Sequence, residues 1–251
     1  MSIIDLLQKE SKKSDDKMYG LTLGVVTNTE DPDNLGRVKV QLLLRDTSDN
    51  ETEWIRVAVP FAGDSMGAYF IPDVDDEVLI GFINGDIHKP FVVAGVWNTK
   101  QKPPVDNEGG KNLTKMIKTK SGIEVILEDS EDGESSMVDI KTPKGMHVTL
   151  TDKNEVIEVS DKGGKNGVKI DTKGGQVEVK ADKKITVKTG GSQIILDGAG
   201  QKIDIKTTTL SIKAAKIDIN ADASMTIKSG GLLNVEAGGP ANIKGAIVKI
   251  N

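Results

Sequence analysis

His88 and His147 are the only imidazoles in this 251-residue chain, and cysteine is absent. A zinc site or a nucleophile-imidazole-carboxylate relay needs several such groups converging on one point. The two histidines lie in segments of different character, so one chain is not expected to build either. Three copies of His147 could meet on a symmetry axis. His147 alternates with the apolar Met146 and Val148, however, which is expected to turn its side chain outward. The acidic run Glu128-Asp129-Ser130-Glu131-Asp132-Gly133-Glu134 has the composition of a calcium loop without the ligand spacing, and it reads as a solvated hairpin loop. Gly163-Gly164, Gly174-Gly175 and Gly190-Gly191 precede no helical pattern that could hold a phosphate. They read as turns between strands. No catalytic residue, metal or cofactor is expected.

The totals exclude further classes. A formal net charge of −5 argues against a nucleic-acid or acidic-membrane partner. No apolar run approaches the ~20 residues of a membrane span, and MSIIDLLQKESKKSDDK lacks the pattern of a secretory signal. The expectation is cytoplasmic synthesis and assembly, with any exit by another route.

Composition divides the chain. All the aromatic residues lie between Tyr19 and Trp97, with all three arginines, Arg37, Arg45 and Arg56. Beyond Trp97 the cations are lysine, His147 apart, and the apolar residues are Ile, Val, Leu, Ala and Met. The expected organisation is an arm over 1–18, a barrel over 19–100, a Pro/Gly-rich linker over 101–112 and a repeat region over 113–251. In the arm, Ile3, Ile4, Leu6 and Leu7 could form one face of a short helix. They are the candidates to face a hub or neighbouring subunit; the other reading is a weakly docked terminus, because so short a helix is marginal in water.

LTLGVVTN, GRVKVQLLL, EWIRVAVP, DEVLIGFI and KPFVVAGVW alternate or run apolar between Gly, Pro, Asn and Asp. About five strands without an intervening helix suggest a small closed barrel. Such barrels can bind single strands through exposed aromatics and a basic groove. Here the aromatics sit in apolar strand contexts, as Trp54 and Phe91 do, and are expected in the core.

From 113 onward strand phrases recur, from GIEVIL, MVDIKT and MHVTL to ANIKG and IVKIN. Apolar residues at i and i+2 enclose Lys, Asp, Glu or Thr, which puts aliphatics on one face and charges on the other. The charged side reads as a soluble outer face that blocks edge pairing. A repeat of about eight residues is one strand and a turn. One phrase buries two or three aliphatics at ~1.5–3 kcal/mol each, against ~1–2 kcal/mol of backbone entropy per residue, so it needs neighbours. Either one chain coils into a solenoid or three chains form a triangular prism with their apolar faces on the axis. About fifteen phrases at ~4.8 Å give a prism of about 70 Å or a solenoid of about 25 Å. The even spacing, without three dissimilar sides, favours the prism. The phrase Ile247, Val248, Lys249, Ile250, Asn251 is expected to be a docking face at its tip; the other reading is a self-sealed tip.

The residues Tyr19-Gly20, Gly24-Val25-Val26, Asp31-Pro32, Gly36-Arg37-Val38-Lys39-Val40 and Trp54-Ile55-Arg56-Val57 open an ordered motif string. Gly67, Phe70-Ile71-Pro72, Asp76-Glu77-Val78-Leu79-Ile80-Gly81-Phe82, Asn84-Gly85-Asp86, Lys89-Pro90 and Ala94-Gly95 complete it. The string resembles the barrel domain of the contractile-tail spike family, which includes phage baseplate assembly protein V and VgrG. The resemblance implies an all-β chain: an oligonucleotide/oligosaccharide-binding (OB) type barrel followed by a trimeric triangular β-helix needle. It implies a homotrimeric, non-enzymatic spike at the tip of a contractile tail or injection system, contacting tube and baseplate proteins and crossing the target membrane transiently. It also implies a PAAR-repeat tip protein on the needle end. Asp75 stands where the family usually has Gly, so that turn is expected to differ. The fused hub of VgrG is absent and is expected as a separate protein. There is no lysozyme-sized insert and no iron-binding His-x-His pair. The competing reading is a β-solenoid adhesin or fibre that grips surface glycans, although sugar sites favour exposed aromatics and the repeat region has none.

Overall fold

The computed structural model describes residues 17–43 and 50–250; Ile3, Ile4, Leu6, Leu7 and Asn251 lie outside the described residues. The chain forms two compact units, Met1–Asp182 and Lys183–Asn251, and the segment 101–112 falls inside the first. Its strands are β1 (Thr22–Asn28), β2 (Lys39–Leu42), β3 (Arg56–Val57), β4 (Ala62–Gly63), β5 (Met66–Gly67), β6 (Glu77–Phe82) and β7 (Pro90–Gly95). They continue with β8 (Thr114–Lys118), β9 (Glu124–Glu128), β10 (Met137–Lys141), β11 (His147–Thr151), β12 (Val156–Ser160), β13 (Gly167–Asp171) and β14 (Gln176–Lys180). The second unit adds β15 (Lys184–Thr189), β16 (Ser192–Asp197) and β17 (Lys202–Lys206). Among the described residues no helix is long and apolar enough to cross a membrane.

The first sheet runs β2-β1-β6-β7-β3. It closes because Val38 and Ile55, just ahead of β2 and β3, exchange backbone bonds of 3.0 and 2.9 Å. Closure pairs the two strand edges that would otherwise be open. Inside sit Val26, Val38, Val40, Ile55, Val78, Ile80 and Val92, all buried. The alternation of β1 points Thr22, Gly24 and Val26 inward. Gly24 is there for space: a Cβ would lie 2.4 Å from Val40 Cγ1 and 3.0 Å from the Gln41 carbonyl oxygen.

The aromatics correct the expectation of a core role. Tyr19, Phe61, Tyr69, Phe70 and Trp97 are exposed, while Trp54, Phe82 and Phe91 are half-buried. The reason is size: a five-stranded ring is filled by β-branched side chains, so only Phe82 packs against that core and most of the larger rings lie outside it or in its loops.

Two turns of the motif string have physical explanations. The Asp31 side chain is 4% exposed and grips the loop to β2. Its Oδ2 accepts from the Leu35 amide at 2.9 Å and from Arg37 Nε at 3.0 Å, and its Oδ1 accepts from Arg37 Nη2 at 2.6 Å. The Arg37 hydrogen bonds hold the Asp31 carboxyl far below the usual carboxylate range. Asp75, whose turn was expected to differ, adopts the left-handed conformation that a glycine takes readily, at φ 74°. Its amide donates to Val26 O at 2.9 Å, which fixes the turn against β1.

In the repeat region β8 to β14 form one antiparallel meander in sequence order, and β15-β16-β17 form another. The six phrases from Leu210 on, expected as strands, are not strands, and residues 208–250 are exposed throughout. They keep the alternating pattern, but a strand also needs a partner for its backbone groups, and within this unit none pairs with them. The sequence pattern also missed β8 (TKMIK) and the β4–β5 hairpin.

Three substitutions test these points by thermal or urea unfolding. Gly24→Ala overpacks the barrel and is expected to destabilise it by ~1–3 kcal/mol. Asp75→Gly relieves the left-handed residue and is expected to stabilise by up to ~1 kcal/mol. Because the folded Asp31 carboxyl sits below its unfolded value of ~3.9, its contribution is complete above about pH 4 and is lost as pH falls further. Asp31→Asn should therefore melt lower than wild type at pH 7, with the gap closing progressively below about pH 4; a gap independent of pH would refute this account.

Candidate functional site

The registers of the meander align its side chains into rows, because directly paired residues share a face. One row reads Ile117, Val125, Ile140, Val148, Val159, Val168, Val179, one residue from each strand. Two positions along, on the same face, a second row reads Lys115, Leu127, Val138, Leu150, Ile157, Ile170, Val177. Apart from Lys115 this face is wholly aliphatic, and it is open: Leu150 is 42% exposed and Val177 69%. The second unit repeats the device, with rows Ile185-Leu196-Ile203 and Val187-Ile194-Ile205.

The opposite face carries the charges. Lys118 Nζ lies 2.9 Å from Glu124, Lys141 Nζ 2.7 Å from Asp139, and Lys180 Nζ 3.1 Å from Glu178. The hydrogen bond from Lys118 lowers the Glu124 carboxyl, and the Asp139 carboxylate raises the Lys141 ammonium. Asp139 is buried on this face, and its Oδ1 has no hydrogen-bond partner. Met116, Ile126, Met137 and Val156 share this face and are half-buried, so it is mixed in character, whereas the aliphatic face is apolar in all but Lys115.

The expected chemistry residues fall as follows. His147 lies on the charged face, its Nε2 2.8 Å from Ser160 Oγ. His88 is in the turn before β7, its amide donating to Asp86 Oδ1 at 3.0 Å. The structure does not bring the two histidines together. The acidic run ends β9 and forms the loop to β10, where Ser130 Oγ accepts from the Ser135 amide at 2.9 Å and Asp132 Oδ1 from the Glu134 amide at 2.9 Å. Among the described residues no group of three or more His, Asp or Glu could hold a metal. The glycine pairs sit in turns between strands, Gly164, Gly175 and Gly190 at positive φ. At the expected tip, Ile247, Val248 and Ile250 are exposed, 91% for Ile250, and Lys249 is exposed with them.

Period two predicted an apolar side for each strand. It did not predict that turns of unequal length keep the registers aligned so that the sides merge into one face. That signal lies in the pairing, which single strands do not carry.

Comparison with known proteins concerns mainly the barrel. Residues 22–97 match the type VI secretion system/phage-baseplate injector OB domain. The chain is 34% identical over 112 residues to the type VI secretion system spike protein VgrG5 of Pseudomonas aeruginosa, covering 42% of this chain and 14% of that protein. It is 39% identical over 75 residues to the spike protein VgrG3 of Vibrio cholerae, covering 29% of this chain and 7% of that one. The chain thus spans well under a fifth of the curated relatives it matches. The barrel of residues 22–97 thus resembles the type VI secretion system/phage-baseplate injector OB domain, and the likeness of the chain to VgrG spike proteins is carried mainly by this segment.

Proposed function

We propose that this chain is a structural spike of a contractile injection system, of the type VI secretion or phage-tail kind, acting as a homotrimer. In this reading the barrel of residues 19–100 sits at the base and contacts hub, tube and baseplate proteins. The linker 101–112 leads to a needle over 113–251, whose tip around Ile247 to Asn251 receives a PAAR-repeat protein. Ile3, Ile4, Leu6 and Leu7 face the hub. The particle assembles in the cytoplasm and meets the target membrane only on firing. The role is mechanical: cross-strand hydrogen bonds and a filled apolar centre resist bending, and no chemical step is assigned to it.

The observation that carries the reading is the pair of aliphatic rows running unbroken across the meander on one face, with charges on the other. Covering about thirteen half-exposed aliphatic side chains is worth on the order of 10 kcal/mol per chain. Association costs ~4–15 kcal/mol. One meander face is therefore in the range needed to drive assembly, and leaving it wet forfeits that energy. Three sheets facing inward meet the need with lysines and carboxylates outward.

Sedimentation and particle imaging test this directly. The purified protein is expected as a trimer with a rod-like needle, its ten strands β8–β17 accounting for about 50 Å at ~4.8 Å each; a compact monomer at high dilution would sink the reading. Val148→Asp with Val159→Asp, on the aliphatic face, should weaken assembly at least about tenfold by placing carboxylates in an apolar centre. Thr149→Lys, on the opposite face between Asp139 and Glu158, should leave it unchanged.

A further inference from the structure

The β8–β14 meander has two lateral edges made of turns, and successive turns alternate between them. One edge comprises residues 118–124, 141–147 and 160–167; the other comprises 128–137, 151–156 and 171–176. The first carries Lys118, Lys120, Lys141, Lys144, Lys162 and Lys165, against Glu124 and Asp161. The second carries Glu128, Asp129, Glu131, Asp132, Glu134 and Asp152, with Glu155 and Asp171, against Lys153 and Lys173. The aliphatic face lies between a basic edge and an acidic edge.

Some of these charges are satisfied within the chain. Lys118 pairs with Glu124, Lys120 with Asp73, Lys165 with Asp182, and Glu131 with Lys111. Others are not. Among the described residues Lys144 and Lys162 form no ion pair, and neither do Glu128, Asp132, Glu134 or Asp152. The segregation therefore leaves opposite unpaired charges on opposite sides of one sheet.

We infer that these two edges are complementary docking surfaces for neighbouring copies of this chain, the basic edge of one copy against the acidic edge of the next. The inference rests on the assembly proposed above and adds its direction. Copies arranged head to tail around a common axis, all pointing the same way, place unlike edges together at every seam. A copy turned end over end to cover the aliphatic face places lysine edge on lysine edge and acidic edge on acidic edge. Hydrophobic burial alone accepts either arrangement. The edge charges accept only the first, because like charges brought together are repelled and unlike charges steer approach.

Charge reversal on the full chain tests the inference. Ser121→Glu/Lys144→Glu/Lys162→Glu puts a carboxylate in each basic turn while leaving the Lys120–Asp73 pair in place, and Asp132→Lys/Glu134→Lys/Asp152→Lys reverses the acidic edge. Each triple variant should weaken assembly by roughly tenfold or more in dilution sedimentation. The chain carrying all six changes should regain the wild-type oligomer, which also excludes misfolding as the cause of loss. The wild type should assemble more slowly as ionic strength rises. An assembled wild type whose single-edge variants assemble equally well overturns this inference alone, as does failure of the six-residue swap to restore what each edge lost. A monomeric wild type overturns the proposed spike and this inference together.

Discussion

An antiparallel sheet with one aliphatic face is half of a folded structure. Its backbone groups are satisfied along the meander, but its apolar rows still meet water. In this chain that condition extends from Ile117 to Val179 and recurs between Ile185 and Ile205. The hydrophobic effect is non-directional, so the face demands a cover without specifying one. What narrows the choice is the far side. Lysines, aspartates, glutamates and threonines predominate there, with Met116, Ile126, Met137 and Val156 among them, so the two-row aliphatic face is the more apolar of the two and the one that most needs burial.

The barrel answers the same problem within one chain. Its ring is closed by the exchange between Val38 and Ile55, and its seven core side chains are hidden by their own strands. Gly24 gives up a side chain so that Val40 can fill the interior. Asp31 replaces several solvent hydrogen bonds with Arg37 and loop amides, which makes the loop into β2 a fixed element. The barrel is thus self-sufficient where the repeat region is not.

The outer aromatics fit the same division. Phe61, Tyr69, Phe70 and Trp97 are exposed on the unit that carries the barrel, whereas the repeat region has no aromatic side chain. Large rings give contact area at low conformational cost, and here they are left exposed around a core too narrow to hold them. Small branched aliphatics suit a narrow centre, where an aromatic ring would hold neighbouring sheets apart. The turn edges then supply what burial lacks, a sign of charge that differs from left to right.

Much of this was legible in the chain before folding. Alternation in GVVTN, RVKV and EVLIGF marked the barrel strands, and the ordered motif from Tyr19 to Gly95 marked the resemblance to the injector OB domain. The change of composition after Trp97 marked where the architecture changes, and period two marked an apolar and a charged side for each repeat phrase. The aromatics were misread, because neighbouring apolar residues say that a strand is half-buried and not which half. The phrases beyond Leu210 were misread as strands because alternation describes faces, while a strand exists only when another strand accepts its hydrogen bonds. By itself the sequence determined the local alternation, the turns and the type of residue on each side, since these depend on neighbours a few positions away. Only the tertiary structure decided the ring closure at Val38 and Ile55, the merging of separate apolar sides into two continuous rows, and the sorting of charged turns to opposite edges. Each of these depends on register between distant strands, a relation between residues that no single strand contains.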